Sequence, residues 1–260
     1  MKYCRFATPE GPKYGEVTHR AGELWLTGFL PSPTSNSAEP CPPHPLSELS
    51  LLSPAIPSKI VCVGRNYLDH AKELGNEVPS EPLLFFKPPS SLLAPGGVIV
   101  RPKASARVDF EGELAVIIGK RARKLSAAED LRPYLHGCTL ANDVTARDLQ
   151  KKDGQWTRAK GFDTFCPVGP IVSDELDIEA GLTIETRVNG ELRQHGSTLD
   201  FIFGIPELLV YITAAITLEP GDLLLTGTPA GVGPLNPGDR VEVTVPGLGV
   251  LANTAEPDPN

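Results

Sequence analysis

The sequence predicts a mainly β fold with some helix, arranged as a barrel-like sandwich. Three observations predict it. Gly (25) and Pro (27) are abundant in a chain of 260 residues, which favours many turns over a helical bundle. Most apolar segments are short and either alternate or run for a few residues, as strands do. Few stretches carry helical spacing.

Taken in order, residues 1–57 read as a small N-terminal α+β unit with a Pro-rich connector. Short strands are predicted at Gly15-Glu16-Val17 and at 23–27. The dense prolines from Pro31 to Pro57 suppress regular structure. Residues 58–260 read as the main domain. It opens with a buried strand at 60–64. Residues 67–74 have helical character and stop at Gly75, a glycine C-cap. A loop leads to a strand at 83–87.

Residues 108–119 read as one strand. Val108, Phe110, Leu114, Val116 and Ile118 are apolar, while Asp109, Glu111 and Glu113 fall on the other face. Residues 131–145 run from a helical turn into a strand that ends at Asn142-Asp143. Residues 182–194 alternate around Asn189-Gly190, a strong hairpin turn. Residues 206–216 place Leu208, Leu209, Ile212 and Ile216 on one helical face, with Pro206 in the first turn. Two further strands each follow a Pro-Gly-Asp turn, after Pro220 and after Pro237.

The formal net charge is −8, with no block of Lys or Arg. That argues against nucleic acid or an anionic membrane surface as a partner. No apolar run reaches the roughly 18 residues of a membrane span, and the first ten residues lack the apolar core of a signal peptide. The five cysteines are widely spaced and form no C-x-x-C pair. Reduced thiols in a cytoplasmic protein are the simplest account. Cys62 and Cys166 read as core.

Several residues could carry chemistry. Three carboxylates on one strand face repel, and a hard divalent cation such as Mg²⁺ or Mn²⁺ relieves the repulsion. The plain alternative is a solvated outer face. Asp143 ends an apolar strand and completes a three-carboxylate set with Glu111 and Glu113, or else caps a turn. His70 and Glu73 are three apart on a helix and face the same way. They form either an imidazole–carboxylate pair that handles a proton or an exposed surface pair. Lys160 and Lys87 are substrate-binding cations or surface lysines. The Gly-rich loop at 225–233 can hold an anion on its N–H groups, or serve as a turn that needs glycine.

Seven motifs stand in order along residues 60–245: V-G-R-N-Y-L-D-H-A-K-E-L, S-E-P-L-L-F-F-K-P, D-F-E-G-E-L-A-V-I-I-G, N-D-V-T-A-R-D-L-Q, W-T-R-A-K-G-F-D, V-N-G-E-L-R-Q and L-L-T-G-T-P-A-G-V-G. In that combination the chain resembles the fumarylacetoacetate hydrolase superfamily. It is most similar to the branch of acylpyruvate hydrolases, oxaloacetate decarboxylases and 2-hydroxyhepta-2,4-diene-1,7-dioate isomerases. The resemblance implies a mixed β-sandwich roll, a homodimer, and one Mg²⁺ or Mn²⁺ per subunit, with Ca²⁺ as a substitute. It implies Glu111, Glu113 and Asp143 as metal ligands. It makes His70, Glu73 and Lys160 catalytic, the first two on a lid helix. It puts Arg65, Lys87, Arg147, Gln150 and Thr228 around the substrate.

The activity so implied is enolate chemistry on a small 2-oxo or 2-enol (di)carboxylic acid. First choice is a 2-hydroxyhepta-2,4-diene-1,7-dioate or 5-carboxymethyl-2-hydroxymuconate isomerase of aromatic catabolism. The alternatives are an acylpyruvate hydrolase or an oxaloacetate decarboxylase. From another class, the alternative is a non-catalytic small-molecule binding protein on the same fold.

Overall fold

The computed structural model describes residues 1–73 and 77–259. Strands dominate, in three sheets. The largest has twelve strands. Its path runs through Glu39–Pro45, Glu23–Leu30, Gly11–Arg20, Lys2–Thr8, Cys166–Ser173, Leu135–Asn142, Gly112–Ile118, Leu223–Leu225, Ile60–Gly64 and Leu83–Lys87. A five-stranded sheet joins Glu191–Ser197, Thr183–Val188, Arg240–Val245, Gly249–Pro257 and Val98–Arg101. A small third sheet joins Thr145–Ala146, Val108–Phe110 and Gly233–Pro234. Both large sheets end on edge strands, so neither closes into a barrel.

The alternating strands bury one face each between the sheets. Leu114, Leu140 and Ile171 of the large sheet pack with Ile184, Val243 and Leu251 of the five-stranded one. Four α-helices are described: α1 (Leu68–Glu73), α2 (Arg147–Asp153), α3 (Thr157–Gly161) and α4 (Ile205–Ala215). The apolar stripe of α4, with Leu208, Leu209 and Ile212, covers Val61, Val116 and Leu224 on the large sheet. Pro206 sits in its first turn, where the missing N–H costs nothing. Asn189 and Gly190 adopt φ of 52° and 83°, the left-handed pair that a two-residue hairpin turn requires. No described helix is long and apolar enough to cross a membrane. All five cysteines are free, and Cys62 and Cys166 are buried.

Three expectations need correction. Residues 1–57 hold strands and one 3₁₀ turn (Leu46–Glu48) but no α-helix, so the unit is β rather than α+β. Its first strand pairs with Cys166–Ser173, which makes it an extension of the large sheet. The Pro-rich stretch is not devoid of regular structure: Glu39–Pro45 is a strand. It lies at the sheet edge, where a proline without an N–H is tolerated. Residues 108–119 are two strands, not one, because the chain breaks at Glu111. The Gly75 cap lies outside the described residues.

Candidate active site

The break at Glu111 builds the site. Val108–Phe110 belongs to the small sheet and Gly112–Ile118 to the large one, so Glu111 sits where the chain passes between them. Its N–H donates to Asn142 Oδ1 at 2.9 Å. Its carbonyl accepts the Asp143 N–H at 2.8 Å. Gly112 pairs with Asn142, so the ends of the two strands lie side by side. Glu111, Glu113 and Asp143 thereby converge, each offering a carboxylate oxygen within 4.8 Å of the others. They are 4%, 2% and 1% exposed, which rules out a solvated outer face.

Buried carboxylates need compensation. Lys160 Nζ donates to Glu111 at 2.8 Å and to Asp143 at 2.5 Å. Lys87 Nζ donates to Asp143 at 2.6 Å and to the Val144 carbonyl at 3.2 Å. Arg147 pairs with both Glu111 and Asp109. Among the described residues Glu113 forms no ion pair, and it accepts the Gly227 N–H at 2.7 Å. Burial, and then the charges of Asp143 and Glu111, push its carboxyl well above the usual range. Burial also works against a charged Glu111, but Arg147 and Lys160 outweigh it and hold that carboxyl well below the usual range. Burial opposes the Lys160 charge in the same way, yet Asp143 and Glu111 raise its ammonium above the ordinary value.

This donor set fits a divalent cation. All three ligand atoms are hard oxygens, they converge, and one carboxylate is left uncompensated. Asp109 is not part of the set. Arg107 (2.8 Å) and Arg147 (2.9 Å) hold it.

His70 lies on α1 and is 4% exposed. Its Nδ1 is 3.4 Å from Glu73 Oε2. Glu73 in turn accepts the Gly231 N–H at 3.1 Å. The Gly-rich loop therefore does hold carboxylates, but they are the protein's own: Gly227 binds Glu113 and Gly231 binds Glu73. Burial lowers the imidazole's proton affinity, against the pull of Glu111, so His70 is neutral at pH 7.

A cavity of about 280 Å³ collects the three carboxylates with His70 and Lys160. Arg65, Arg147, Gln150 and Thr228, which the resemblance put around the substrate, line it. Lys87 does not; it is 1% exposed and stands behind Asp143. Glu73 touches His70 without lining the cavity.

Sequence reasoning assigned no role to Gln194, which is fully buried. It accepts the Gly112 N–H at 3.0 Å and donates to Thr228 Oγ1 (2.7 Å) and the Pro229 carbonyl (2.8 Å). It ties the backbone between Glu111 and Glu113 to the Gly-rich loop. Its signal was a polar residue at an inward position of the hairpin after Asn189-Gly190. Lys151, Phe85 and Trp156 also line the cavity unforeseen.

The fold and site define a class: enzymes on a mixed β scaffold whose buried carboxylates suit a divalent ion beside a lysine and a histidine. The family model for the C-terminal domain of fumarylacetoacetate (FAA) hydrolase matches residues 59–256, and the chain belongs to that family. It is 43% identical to an oxaloacetate tautomerase of Bacillus subtilis, over 81% of this chain and 74% of that one. It is 46% identical to a mitochondrial oxaloacetate decarboxylase of Dictyostelium discoideum, over 73% and 89%. Among solved structures, 2-hydroxyhepta-2,4-diene-1,7-dioate isomerase from Mycobacterium marinum aligns over all of both chains, with a TM-score of 0.89 and 40% identity.

Proposed function

We propose that this enzyme moves a proton within small 2-oxo/2-enol dicarboxylic acids, as an isomerase or tautomerase. The observation that carries the reading is the convergence of Glu111, Glu113, Asp143, Lys160 and His70 on one cavity. A Mg²⁺ or Mn²⁺ ion on the three carboxylates would supply Lewis-acid stabilisation of an enolate.

The chain's own residues do the rest. Lys160, charged and fixed by two carboxylates, adds positive potential where the substrate's oxygen gains charge. His70, neutral and buried, takes the proton from carbon and returns it to another atom. Glu73 orients the imidazole and stabilises its charged form. The Gly231 N–H on Glu73 ties α1 to the Gly-rich loop, and His70 is buried beneath it.

A second reading is carbon–carbon cleavage, as a decarboxylase or acylpyruvate hydrolase. The similarity to an oxaloacetate decarboxylase supports it, because loss of CO₂ leaves the same enolate. Assays of oxaloacetate tautomerisation, oxaloacetate decarboxylation, acetylpyruvate cleavage and a hydroxymuconate-type diene separate the two. Proton shifts faster than cleavage, lost in His70→Ala with metal binding kept, are expected. Unchanged turnover in His70→Ala would remove the base from the mechanism.

A further inference from the structure

The cavity carries two kinds of cation. Arg147 and Lys160 are committed to Asp109, Glu111 and Asp143. Arg65 and Lys151 line the same cavity, and among the described residues neither side chain has a hydrogen bond or an ion pair. Both are donor-only groups without an acceptor.

Their placement is not incidental. Lys151 follows Arg147 by four residues on α2, so both project from one helix face toward the cavity. Arg65 comes directly after the strand Ile60–Gly64 and adopts φ of 58°. That left-handed conformation is uncommon outside glycine. The packing of Trp156 helps hold the turn: a Cβ on Gly64 would stand 2.9 Å from Trp156 Cζ3. The chain thus keeps a left-handed turn that presents an arginine, and an unpaired lysine, to one cavity.

We propose that Arg65 and Lys151 form a second anion subsite, which binds the substrate carboxylate remote from the 2-oxo acid end. The proposal rests on the enolate reading above and deepens it. The 2-oxo acid end is served by the acidic centre and Lys160. Among the described residues lining the cavity, the cations left uncommitted for a second substrate carboxylate are Arg65 and Lys151. The site therefore selects dicarboxylates over 2-oxo acids with neutral ends.

The test compares oxaloacetate with acetylpyruvate, which ends in a neutral methyl ketone, in the metal-loaded protein and in Lys151→Met and Lys151→Arg. Lys151 is exposed, so its variants should fold. Losing one charge-assisted contact should raise the KM for oxaloacetate about tenfold and leave that for acetylpyruvate within about twofold. Lys151→Arg should restore the wild-type KM. Added salt should raise the oxaloacetate KM more than the acetylpyruvate KM. A readout independent of turnover is calorimetric binding of 2-oxoglutarate against 2-oxobutyrate. A preference for the diacid that Lys151→Met removes supports the subsite. Equal binding of the two, or equal KM changes for both substrates, overturns it and leaves the enolate reading intact. Turnover that survives Glu113→Ala overturns that reading instead.

Discussion

Replacing Gln194 by leucine tests how the acidic centre is held. The two side chains are similar in volume, so no large cavity forms. The change strips the Gly112 N–H and the Pro229 carbonyl of their partner. It also removes one donor from Thr228, which keeps its bond to the Gly112 carbonyl at 2.8 Å. Each orphaned buried group costs about 1–3 kcal/mol, and a buried leucine returns part of that. The net loss is about 3 kcal/mol, or about 6–12 °C in Tm for a chain of this size. Gly112 lies between Glu111 and Glu113, two of the carboxylates proposed to hold the ion, so Mn²⁺ affinity should fall by about tenfold. Thermal melts and Mn²⁺ titrations read the two effects. A melt within about 0.5 kcal/mol of wild type, with unchanged Mn²⁺ affinity, would refute the clamp.

Three further outcomes follow from the same structure. Because burial and its neighbours raise Glu113, binding of Mg²⁺ or Mn²⁺ should be coupled to proton release, and affinity should fall as pH falls; calorimetry in buffers of different ionisation enthalpy measures it. His70 is held below its ordinary value, so turnover that needs neutral imidazole should persist below about pH 6.5 and decline only in more acid solution; a pH–rate profile with its acid limb above that value would contradict the assignment. Asp222 is fully buried and accepts N–H groups of Ser58 (2.9 Å), Lys59 (3.1 Å) and Glu219 (2.8 Å), besides the Ser58 hydroxyl (2.7 Å). These and Lys59 overcome burial and hold its carboxyl below the usual range. Asp222→Ala should cost about 3 kcal/mol at neutral pH. A depressed carboxyl stabilises above its unfolded value and loses that contribution as pH falls through the folded one, so the cost should shrink below about pH 4.

Local patterns in the sequence carried much of this fold. The hairpin at Asn189-Gly190 and helix α4 were legible because turn chemistry and a 3.6-residue stripe are local signals. The break at Glu111 was not, because the alternation of residues 108–119 continues across it. The crossing from one sheet to another is set by pairing with residues 142–146 and 233–234. That is why Asp109 shared a face with Glu111 and Glu113 on paper but pairs with arginines in space. The edge strand at 39–45 was hidden by prolines that only an edge tolerates. The site was legible mainly as a set of motifs. Burial, which turns the acidic strand from a wet surface into a candidate metal centre, depends on sheets that meet far apart in sequence. Gln194 went unassigned because its partners are remote backbone groups, which no spacing rule reveals.

The central claim is that Glu111, Glu113 and Asp143 hold a catalytic divalent ion. The most direct measurement is turnover of oxaloacetate and acetylpyruvate by metal-stripped protein, with and without added Mg²⁺ or Mn²⁺, beside Glu113→Ala. Activity should return with the ion in the wild type and should not return in the variant. Activity indifferent to the ion, or restored equally in Glu113→Ala, would contradict that claim.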